Sequence, residues 1–248
     1  MELNRKFWEN KKVFLTGHSG FKGSWLSLWL HKLKANVYGY SLEPSTSPSL
    51  FNSLELKNKI NSQIGDIRNY DLLKKSIDEF KPEILIHMAA QPLVRDSYLN
   101  PVFTYETNIM GTVNILDIAR NTNSIDSILV VTSDKCYHNL EKNYYYKESD
   151  SLGGHDPYSS SKGCADIVSS AYYNSYFLKK GVGLSIARAG NVIGGGDWSK
   201  DRIIPDAIRA FSKNTKLIVR NPQSIRPWQF VLDPLSGYLK LIEKLSQS

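Results

Sequence analysis

Two short stretches of the sequence combine side chains that can exchange protons. Ser133, Asp134 and Lys135 follow an apolar run and place a hydroxyl, an acid and an amine side by side. Tyr158 and Lys162 are four residues apart at the start of a predicted helix, so they share one helix face. An ammonium group beside a phenol can lower the pKa of the phenol, and tyrosinate can then act as a base. These residues predict acid–base chemistry.

The spacing of Tyr158 and Lys162 is not unusual in itself. The same spacing occurs at Tyr70/Lys74 and Tyr176/Lys180, as expected by chance in a chain with 14 tyrosines. Tyr158 differs because it begins the helix that follows the strand carrying Ser133. The neighbouring Asp134 and Lys135 leave a second interpretation open, a structural ion pair without a catalytic role.

A glycine-rich turn near the start of the chain predicts what else these side chains meet. Gly17, Gly20 and Gly23 lie between a short apolar strand and an amphipathic helix, with Phe21 and Lys22 inside the turn. Gly17 would allow the sharp turn, Gly20 the approach of a pyrophosphate to the backbone, and Gly23 close packing of helix on sheet. The start of a helix also favours phosphate groups. The turn predicts a dinucleotide cofactor, with an ordinary strand-to-helix turn as the alternative.

The elements that must position these residues alternate between strand and helix. This alternation predicts an α/β fold, a doubly wound parallel sheet of the Rossmann type, in which ligands bind at the carboxyl ends of the strands. We expect a cofactor-binding domain at 1–187 and a smaller, incomplete substrate-binding lobe at 188–248. The predicted strands are 12–15, 36–42, 62–67, 83–88, 125–131 and 183–188.

Further cofactor contacts are predicted at the ends of these strands. Asp66 is placed to meet an adenine amino group, although an acid that stabilises the start of a helix is an equal alternative. Ser41 stands where such folds usually hold an acid for the ribose hydroxyls, which leaves the choice between NAD and NADP open. The other candidates at these strand ends are Ile67, Ala89, Ala90 and Gln91.

Composition limits the remaining function classes. The 248 residues are 41% hydrophobic, which can fill a core, and the two cysteines, Cys136 and Cys164, show no spacing typical of a disulfide framework or a metal site. The net charge of +7 is spread along the chain, so we expect a small anionic substrate rather than nucleic acid. With neither a signal peptide nor a long apolar stretch, we expect no membrane partner and a cytoplasmic location.

Arginines late in the chain are candidates for binding that anion. Arg202, Arg220 and Arg226 could grip a diphosphate, because the planar guanidinium binds two oxygens at once. Asn191 is the candidate for a sugar end. Solvated surface arginines are the alternative.

These features together resemble the extended short-chain dehydrogenase/reductase family, and within it the sugar-nucleotide dehydratase and epimerase group. The resemblance covers the whole chain and implies bound NAD, a nucleotide-sugar substrate and a homodimer. Its longer motifs lie at 17–26, at 89–95 with the substrate candidate Arg95, at 132–135, at 188–198 and at 226–229.

The resemblance also implies a role for each residue of the site. Tyr158 would take the proton of the sugar's 4-hydroxyl, with Lys162 polarising the phenol and Ser133 holding the hydroxyl. Lys135 would remove the C5 proton and Asp134 would protonate the departing 6-hydroxyl, so that water leaves and a 4-keto-6-deoxy sugar forms. Asn108 matches the asparagine that supports the catalytic lysine through water.

The chain departs from the family pattern in two places. Phe230 stands where the pattern has histidine, and relatives continue well past residue 239, so we expect part of the substrate lobe to be missing. Three interpretations follow: an active dehydratase, a truncated NAD-binding protein without turnover, and a sugar-nucleotide epimerase. The Asp134/Lys135 pair favours dehydration over epimerisation.

Overall fold

The computed structural model describes residues 3–142 and 144–247, and its centre is a six-stranded parallel sheet in the order β3-β2-β1-β4-β5-β6. The strand order reverses between β1 and β4, which leaves a crevice at their carboxyl ends. The predicted doubly wound fold is confirmed. The strands of this sheet are β1 (Lys12–Thr16), β2 (Asn36–Ser41), β3 (Asn61–Ile64), β4 (Ile84–His87), β5 (Ser127–Val131) and β6 (Gly183–Ala187).

Helices cover both faces of the sheet because its central strands are apolar on both sides, as the fully buried β4 and β5 show. One core lies between the sheet and helices α2 and α10, and the other lies between the sheet and helices α4 and α7. The helices are α1 (Arg5–Trp8), α2 (Phe21–Lys32), α3 (Leu50–Ser53), α4 (Tyr70–Phe80), α5 (Val94–Leu99), α6 (Pro101–Tyr105), α7 (Gly111–Arg120), α8 (Pro157–Tyr172), α9 (Ile203–Ser212) and α10 (Leu232–Leu245).

The long helix predicted from residue 101 is interrupted. A π turn, Glu106–Met110, joins α6 to α7, so the helix carries one wide turn at the level of the strand ends. Such turns often occur at functional sites because they redirect a side chain.

Helix α10 packs against the sheet beside β5 and β6, although the predicted domain boundary groups it with the lobe. Leu235, Leu239 and Ile242 complete the core on this face. The Glu243 carboxylate accepts hydrogen bonds from Trp8 Nε1 at 2.9 Å and from the Asn4 backbone N–H at 2.7 Å. The two ends of the described chain are therefore joined at the sheet.

The lobe segment, residues 188–231, is small and open. It contains α9 and a two-stranded parallel sheet of β7 (Asn191–Ile193) and β8 (Trp228–Phe230). Phe230 is half exposed. Many of the segment's large apolar side chains face solvent, among them Ile208, Phe211 and Ile218, the last 86% exposed.

Within the described ranges, no helix combines the length and apolar character needed to cross a membrane.

Candidate active site

The glycine turn forms the floor of the crevice between β1 and α2. Gly17 has φ +79°, and a Cβ on it would come within 2.8 Å of the Ala89 backbone nitrogen. A Cβ on Gly23 would lie 2.0 Å from the Gly17 carbonyl oxygen, so Gly23 permits the helix to press on the turn. By contrast, a Cβ on Gly20 would meet nothing closer than that oxygen at 3.5 Å. Close packing therefore requires glycine at positions 17 and 23, whereas the space beside Gly20 is open to a ligand.

The start of α2 faces this space. Gly20 is its N-cap, and among the described residues no side chain caps the helix, so its first N–H groups are free to bind an anion. Lys22 lies in the first turn with its ammonium 5.9 Å from the centre of the Tyr238 ring. Burial and the charge of Arg202 lower the pKa of Lys22 to about 8, while the charge of Asp134 opposes the shift. Phe21 packs at the edge of the core on this face.

The end of β4 supplies the opposite wall. The Ala89 backbone N–H donates to Thr16 Oγ1 at 3.1 Å, which holds residues 89 and 90 beside Gly17. The Gln91 backbone N–H donates to Asn108 Oδ1 at 2.8 Å, and Asn108 Nδ2 donates to the Gln91 carbonyl at 3.1 Å. Asn108 lies in the π turn and is only 1% exposed.

Asn108 also contacts the helix that carries Tyr158 and Lys162, α8, directly. Its Nδ2 donates to Ser161 Oγ at 2.8 Å, and Ser161 immediately precedes Lys162. The expected support of Lys162 through water stays a prediction. What the structure adds is a direct link through Ser161.

The polar side chains at the ends of β2 and β3 already have partners within the protein. Asp66 forms an ion pair with Arg68 at 2.7 Å, and its carboxylate accepts the Arg68 backbone N–H at 2.9 Å. Helix α4 is capped by Asn69, so Asp66 is not its cap. Ile67 is buried. Ser41 is buried too, and its hydroxyl lies 3.0 Å from His18 Nδ1 and donates to Ser19 Oγ at 2.8 Å.

Ser133, Asp134 and Lys135 lie at the end of β5, where Ser133 caps a single turn of 3-10 helix. Ser133 Oγ donates to Asp134 Oδ1 at 3.1 Å and accepts the Lys135 backbone N–H at 3.2 Å. Burial raises the pKa of Asp134, although Ser133 and the charges of Lys135 and Arg226 oppose the shift. A carboxyl group with a raised pKa is suited to act as an acid.

The Lys135 ammonium lies over the Tyr158 ring, 5.9 Å from its centre. In the parts of the chain that the structure describes, no carboxylate comes within ion-pair distance of it. Lys135 and Asp134 therefore form no ion-pair contact in the described structure, although the charge of Lys135 acts on the Asp134 carboxyl. The amine is directed toward the tyrosine instead.

Tyr158 and Lys162 occupy the first turns of α8, as predicted. Burial raises the pKa of Tyr158, with Ser133 and the charge of Arg202 acting in the opposite direction. Lys162 is buried and its Nζ donates to the Val131 carbonyl at 2.9 Å; burial and the charge of Lys22 lower its pKa to about 7. In this structure burial raises the pKa of Tyr158 more than nearby positive charge lowers it, and the expected lowering by Lys162 stays a prediction.

The substrate candidates divide into two groups. Arg202 and Arg226 lie near enough to the crevice for their charges to lower the pKa values of Tyr158 and Asp134, respectively. Arg95, which is 64% exposed, donates to Asp201 Oδ1 at 3.0 Å, and Arg220 pairs with the same carboxylate. Arg202 itself donates to Asp197 at 2.8 Å.

Asn191 lies at the start of β7, where its backbone N–H donates to the Pro227 carbonyl at 3.0 Å.

The expectations from the sequence include neither the effect of Lys22 on Lys162 nor any role for Asp166. The side-chain charge of Lys22 acts on Lys162, and a cation in the first turn of a helix, where the helix dipole disfavours it, is a sequence signal of such a role. Asp166 follows Lys162 by four residues and extends the Tyr158/Lys162 stripe along α8. That spacing is visible in the sequence.

The chain is 55% identical to the CDP-glucose 4,6-dehydratase of Salmonella typhimurium over 98% of its own length and 69% of that protein. It is 28% identical to the dTDP-D-glucose 4,6-dehydratase of Dictyostelium discoideum, of which it spans 56%. The similarity to the Salmonella protein thus extends along nearly the whole chain.

Solved structures show the same fold. The dTDP-glucose 4,6-dehydratase of Bacillus anthracis, solved in complex with NAD, matches 94% of this chain with a TM-score of 0.80 at 24% identity, and the match covers 72% of that chain. The GDP-mannose 4,6 dehydratase family matches residues 14–247. The chain therefore belongs to that family, as the resemblance of its motifs predicts.

Proposed function

We propose that this chain carries the catalytic unit of a CDP-glucose 4,6-dehydratase, which removes water from CDP-glucose to give CDP-4-keto-6-deoxyglucose. The observation that carries the proposal is the pairing at the end of β5 of an acid with a raised pKa, Asp134, and an amine, Lys135, placed over Tyr158. The 55% identity to the Salmonella protein of that name supports the choice of substrate. Such a product would enter the synthesis of deoxysugars for surface polysaccharides.

NAD fits the crevice between β1 and β4. The space over Gly20 and the uncapped start of α2 suit a pyrophosphate, and Gly17, Gly23 and residues 89–91 form the walls around it. Asp66 and Ile67 are the candidates at the adenine end. When bound, NAD would accept a hydride from C4 of the sugar and return it to C6.

Tyr158 is the proposed base for the first step. Its phenolic oxygen would take the proton of the sugar's 4-hydroxyl while the Ser133 hydroxyl orients that group. Because burial raises the pKa of Tyr158, the tyrosinate needs nearby positive charge. Lys162, with a pKa of about 7, is partly protonated at neutral pH and can supply that charge.

Lys135 and Asp134 are proposed for the elimination. The 4-ketone acidifies C5, the Lys135 amine takes the C5 proton, and Asp134 gives its proton to the departing 6-hydroxyl, which leaves as water. Burial favours the protonated form of Asp134 that this step requires. Once a hydride is returned to C6, Lys135 would give its proton back to C5. The turnover then leaves Tyr158 with one more proton and Asp134 with one fewer, so a second turnover requires only proton exchange.

The diphosphate of the substrate is assigned to arginines of the lobe segment and of the neighbouring helix α5. Arg202 and Arg226 are favoured because their charges already act on the crevice, and Arg95, Arg220 and Asn191 are the outer candidates. Binding there would require the diphosphate to compete with Asp197 and Asp201 for the guanidinium groups.

Mass spectrometry tests the proposed function. The purified chain is mixed with CDP-glucose and NAD, and the nucleotide sugar is expected to lose one water. The same assay with dTDP-glucose tests the nucleotide. An isomer of unchanged mass would indicate an epimerase, and NAD binding by calorimetry without any product would indicate a cofactor-binding protein without turnover.

A homodimer is proposed from an apolar surface on α5, α6, the π turn and α8. Five large side chains there are half or more exposed, which is typical of an association surface. Light scattering is expected to give the mass of a dimer, and Ile167→Lys is expected to give a monomer. These side chains are Tyr98, Leu99, Val102, Met110 and Ile167.

A further inference from the structure

Helix α8 carries a third ionisable side chain in line with Tyr158 and Lys162. Asp166 lies one turn beyond Lys162 on the same face and is 1% exposed. A buried carboxylate is costly unless it is paired and hydrogen-bonded. Its partners therefore show what this position does.

Asp166 is paired with Arg188, which follows β6. Arg188 Nε donates to Asp166 Oδ2 and Arg188 Nη2 donates to Asp166 Oδ1, each at 2.8 Å. This is a two-bond contact between a planar guanidinium and a carboxylate, the geometry that fixes an arginine most firmly. The Arg188 side chain is only 15% exposed.

The remaining nitrogen of Arg188 binds the chain that follows the acid–base residues. Arg188 Nη1 donates to Tyr137 Oη at 2.9 Å and to the Glu148 carbonyl at 3.1 Å. The guanidinium also lies over the Tyr137 ring, 4.8 Å from its centre. One arginine thus holds both sides of the loop between β5 and α8.

The same helix face holds the end of β5. Lys162 Nζ donates to the Val131 carbonyl at 2.9 Å, and the Thr132 hydroxyl donates to Asp166 Oδ2 at 3.2 Å. Residues 131 and 132 lead directly into Ser133. The short segment with Asp134 and Lys135 is therefore fixed on one side through Thr132 and on the other through Tyr137.

We propose that Asp166, Arg188 and Tyr137 form a positioning unit that holds Lys135 against Tyr158. Lys135 is two residues before Tyr137, and its ammonium lies over the Tyr158 ring. The unit does not touch the proposed substrate. An effect of this unit on turnover rests on the proposed function. An effect of the unit on the position of the Lys135 side chain does not.

The test compares two variants that each remove one phenolic hydroxyl from this loop. Tyr137→Phe keeps the ring under Arg188 and removes the hydroxyl bond. Tyr144→Phe is the matched control, because its hydroxyl contacts only Asp150, at 3.2 Å, among the described residues. Arg188→Lys keeps the charge opposite Asp166 and removes the two-bond contact.

The first measurement needs neither cofactor nor substrate. A brief pulse of an amine-acylating reagent labels the lysines, and mass spectrometry measures the labelling rate of Lys135. We expect Tyr137→Phe and Arg188→Lys to raise that rate by about threefold or more, and Tyr144→Phe to leave it unchanged, since local release exposes a held side chain. An unchanged rate in Tyr137→Phe and Arg188→Lys would overturn the proposal, even if the chain proves to be an active dehydratase.

The second measurement separates positioning from a merely structural role. With NAD and CDP-glucose, we expect Tyr137→Phe to lower kcat by about tenfold with little change in KM, because a misplaced base affects a chemical step and not ground-state binding. Reduced nicotinamide should accumulate, because oxidation at C4 still occurs while the elimination step is slowed. A lower melting temperature with unchanged kcat would show that the unit serves stability alone. If the unaltered chain has no turnover, the proposed function fails and the labelling result still decides the place of Lys135.

Discussion

Charged side chains are more buried at the carboxyl edge of the sheet than in the ion-pair cluster of Arg95, Arg220 and Asp201 at the lobe segment. At the sheet edge, Lys162 and Asp134 are withdrawn from solvent and their pKa values are shifted by burial. In the lobe segment, the exposed Arg220 pairs with the carboxylate of Asp201, and Arg95 of the neighbouring helix α5 pairs with the same carboxylate. The comparison indicates that the chemical groups are placed in advance, whereas the groups proposed to hold substrate are occupied by carboxylates that a ligand must displace.

The largest effect is expected at the sheet edge. Tyr158→Phe should lower kcat by about a thousandfold, since it removes a general base. Tyr176→Phe is the matched control, because it has the same four-residue spacing to a lysine but lies far from Ser133 in the chain. Steady-state kinetics measures both. Equal losses in the two variants would contradict the assignment of Tyr158.

Lys135→Met should stop elimination while leaving the cofactor bound. We expect loss of water to slow by about a hundredfold or more, since proton transfer is lost from one step, and NAD affinity by calorimetry to stay within about twofold. Lys147→Met, an exposed lysine on the following loop, is the control. Full dehydration by Lys135→Met would remove Lys135 from the mechanism.

In the glycine turn, the effects of helix packing and of ligand binding can be tested at two different glycines. Gly23→Ala should lower the free energy of unfolding by about 2–3 kcal/mol, because its methyl would overlap the Gly17 carbonyl. Gly20→Ala should cost less than about 1 kcal/mol, yet weaken NAD binding more than tenfold, because its methyl would enter the space over the turn. Urea unfolding and calorimetry measure the two quantities. A stable Gly20→Ala variant with unchanged NAD affinity would place the cofactor elsewhere.

Acid should destabilise the sheet and spare the lobe segment, which contains no histidine. Burial lowers the pKa of His18 to about 4 and that of His87 to about 3, both below the ordinary value of 6.5. Between pH 6.5 and about 4 the unfolded chain binds more protons, so stability falls as pH falls, by about 1.4 kcal/mol per pH unit for each histidine. His87→Asn should reduce this slope in urea titrations, and an unchanged slope would exclude His87 as a cause.

The smallest effect is expected in the lobe segment. Asp201→Asn should release Arg95 and Arg220 and lower KM for the nucleotide sugar by about twofold to fivefold, with kcat and melting temperature unchanged, since exposed ion pairs contribute little to stability. Asp206→Asn, which removes an ion pair with Arg209 on α9, is the control. A rise in KM would show that Asp201 positions the arginines and does not compete for them.

Much of the fold could be predicted because its signals are local. The apolar runs before Gly17 and Ser133 became β1 and β5, and Tyr158 began a helix as its position predicted. The predicted boundary at residue 188 places helix α10 with the lobe, because only the packed sheet shows which surface this helix covers. Its place depends on contacts distant in sequence.

The site was predictable in its residue types and less so in its electrostatics. The spacing of Tyr158 and Lys162 placed them correctly, but the direction of the Tyr158 pKa shift depends on burial, which the spacing does not contain. The pairing of Arg95 with Asp201 joins residues 106 positions apart, so no local pattern indicates it. The direct contact of Asn108 with Ser161 has the same origin.

The π turn at Glu106–Met110 makes the number of residues in this helix matter as much as their identity. Deleting one residue would turn this wide turn into a regular α-helix, and because each residue of an α-helix advances by about 100°, the side chains inside the turn would point in other directions. Asn108 would then face away from Gln91 and Ser161, although no residue in contact with them had been substituted. The number of residues in this turn is therefore as important as their identity for keeping Asn108 in contact with both β4 and α8.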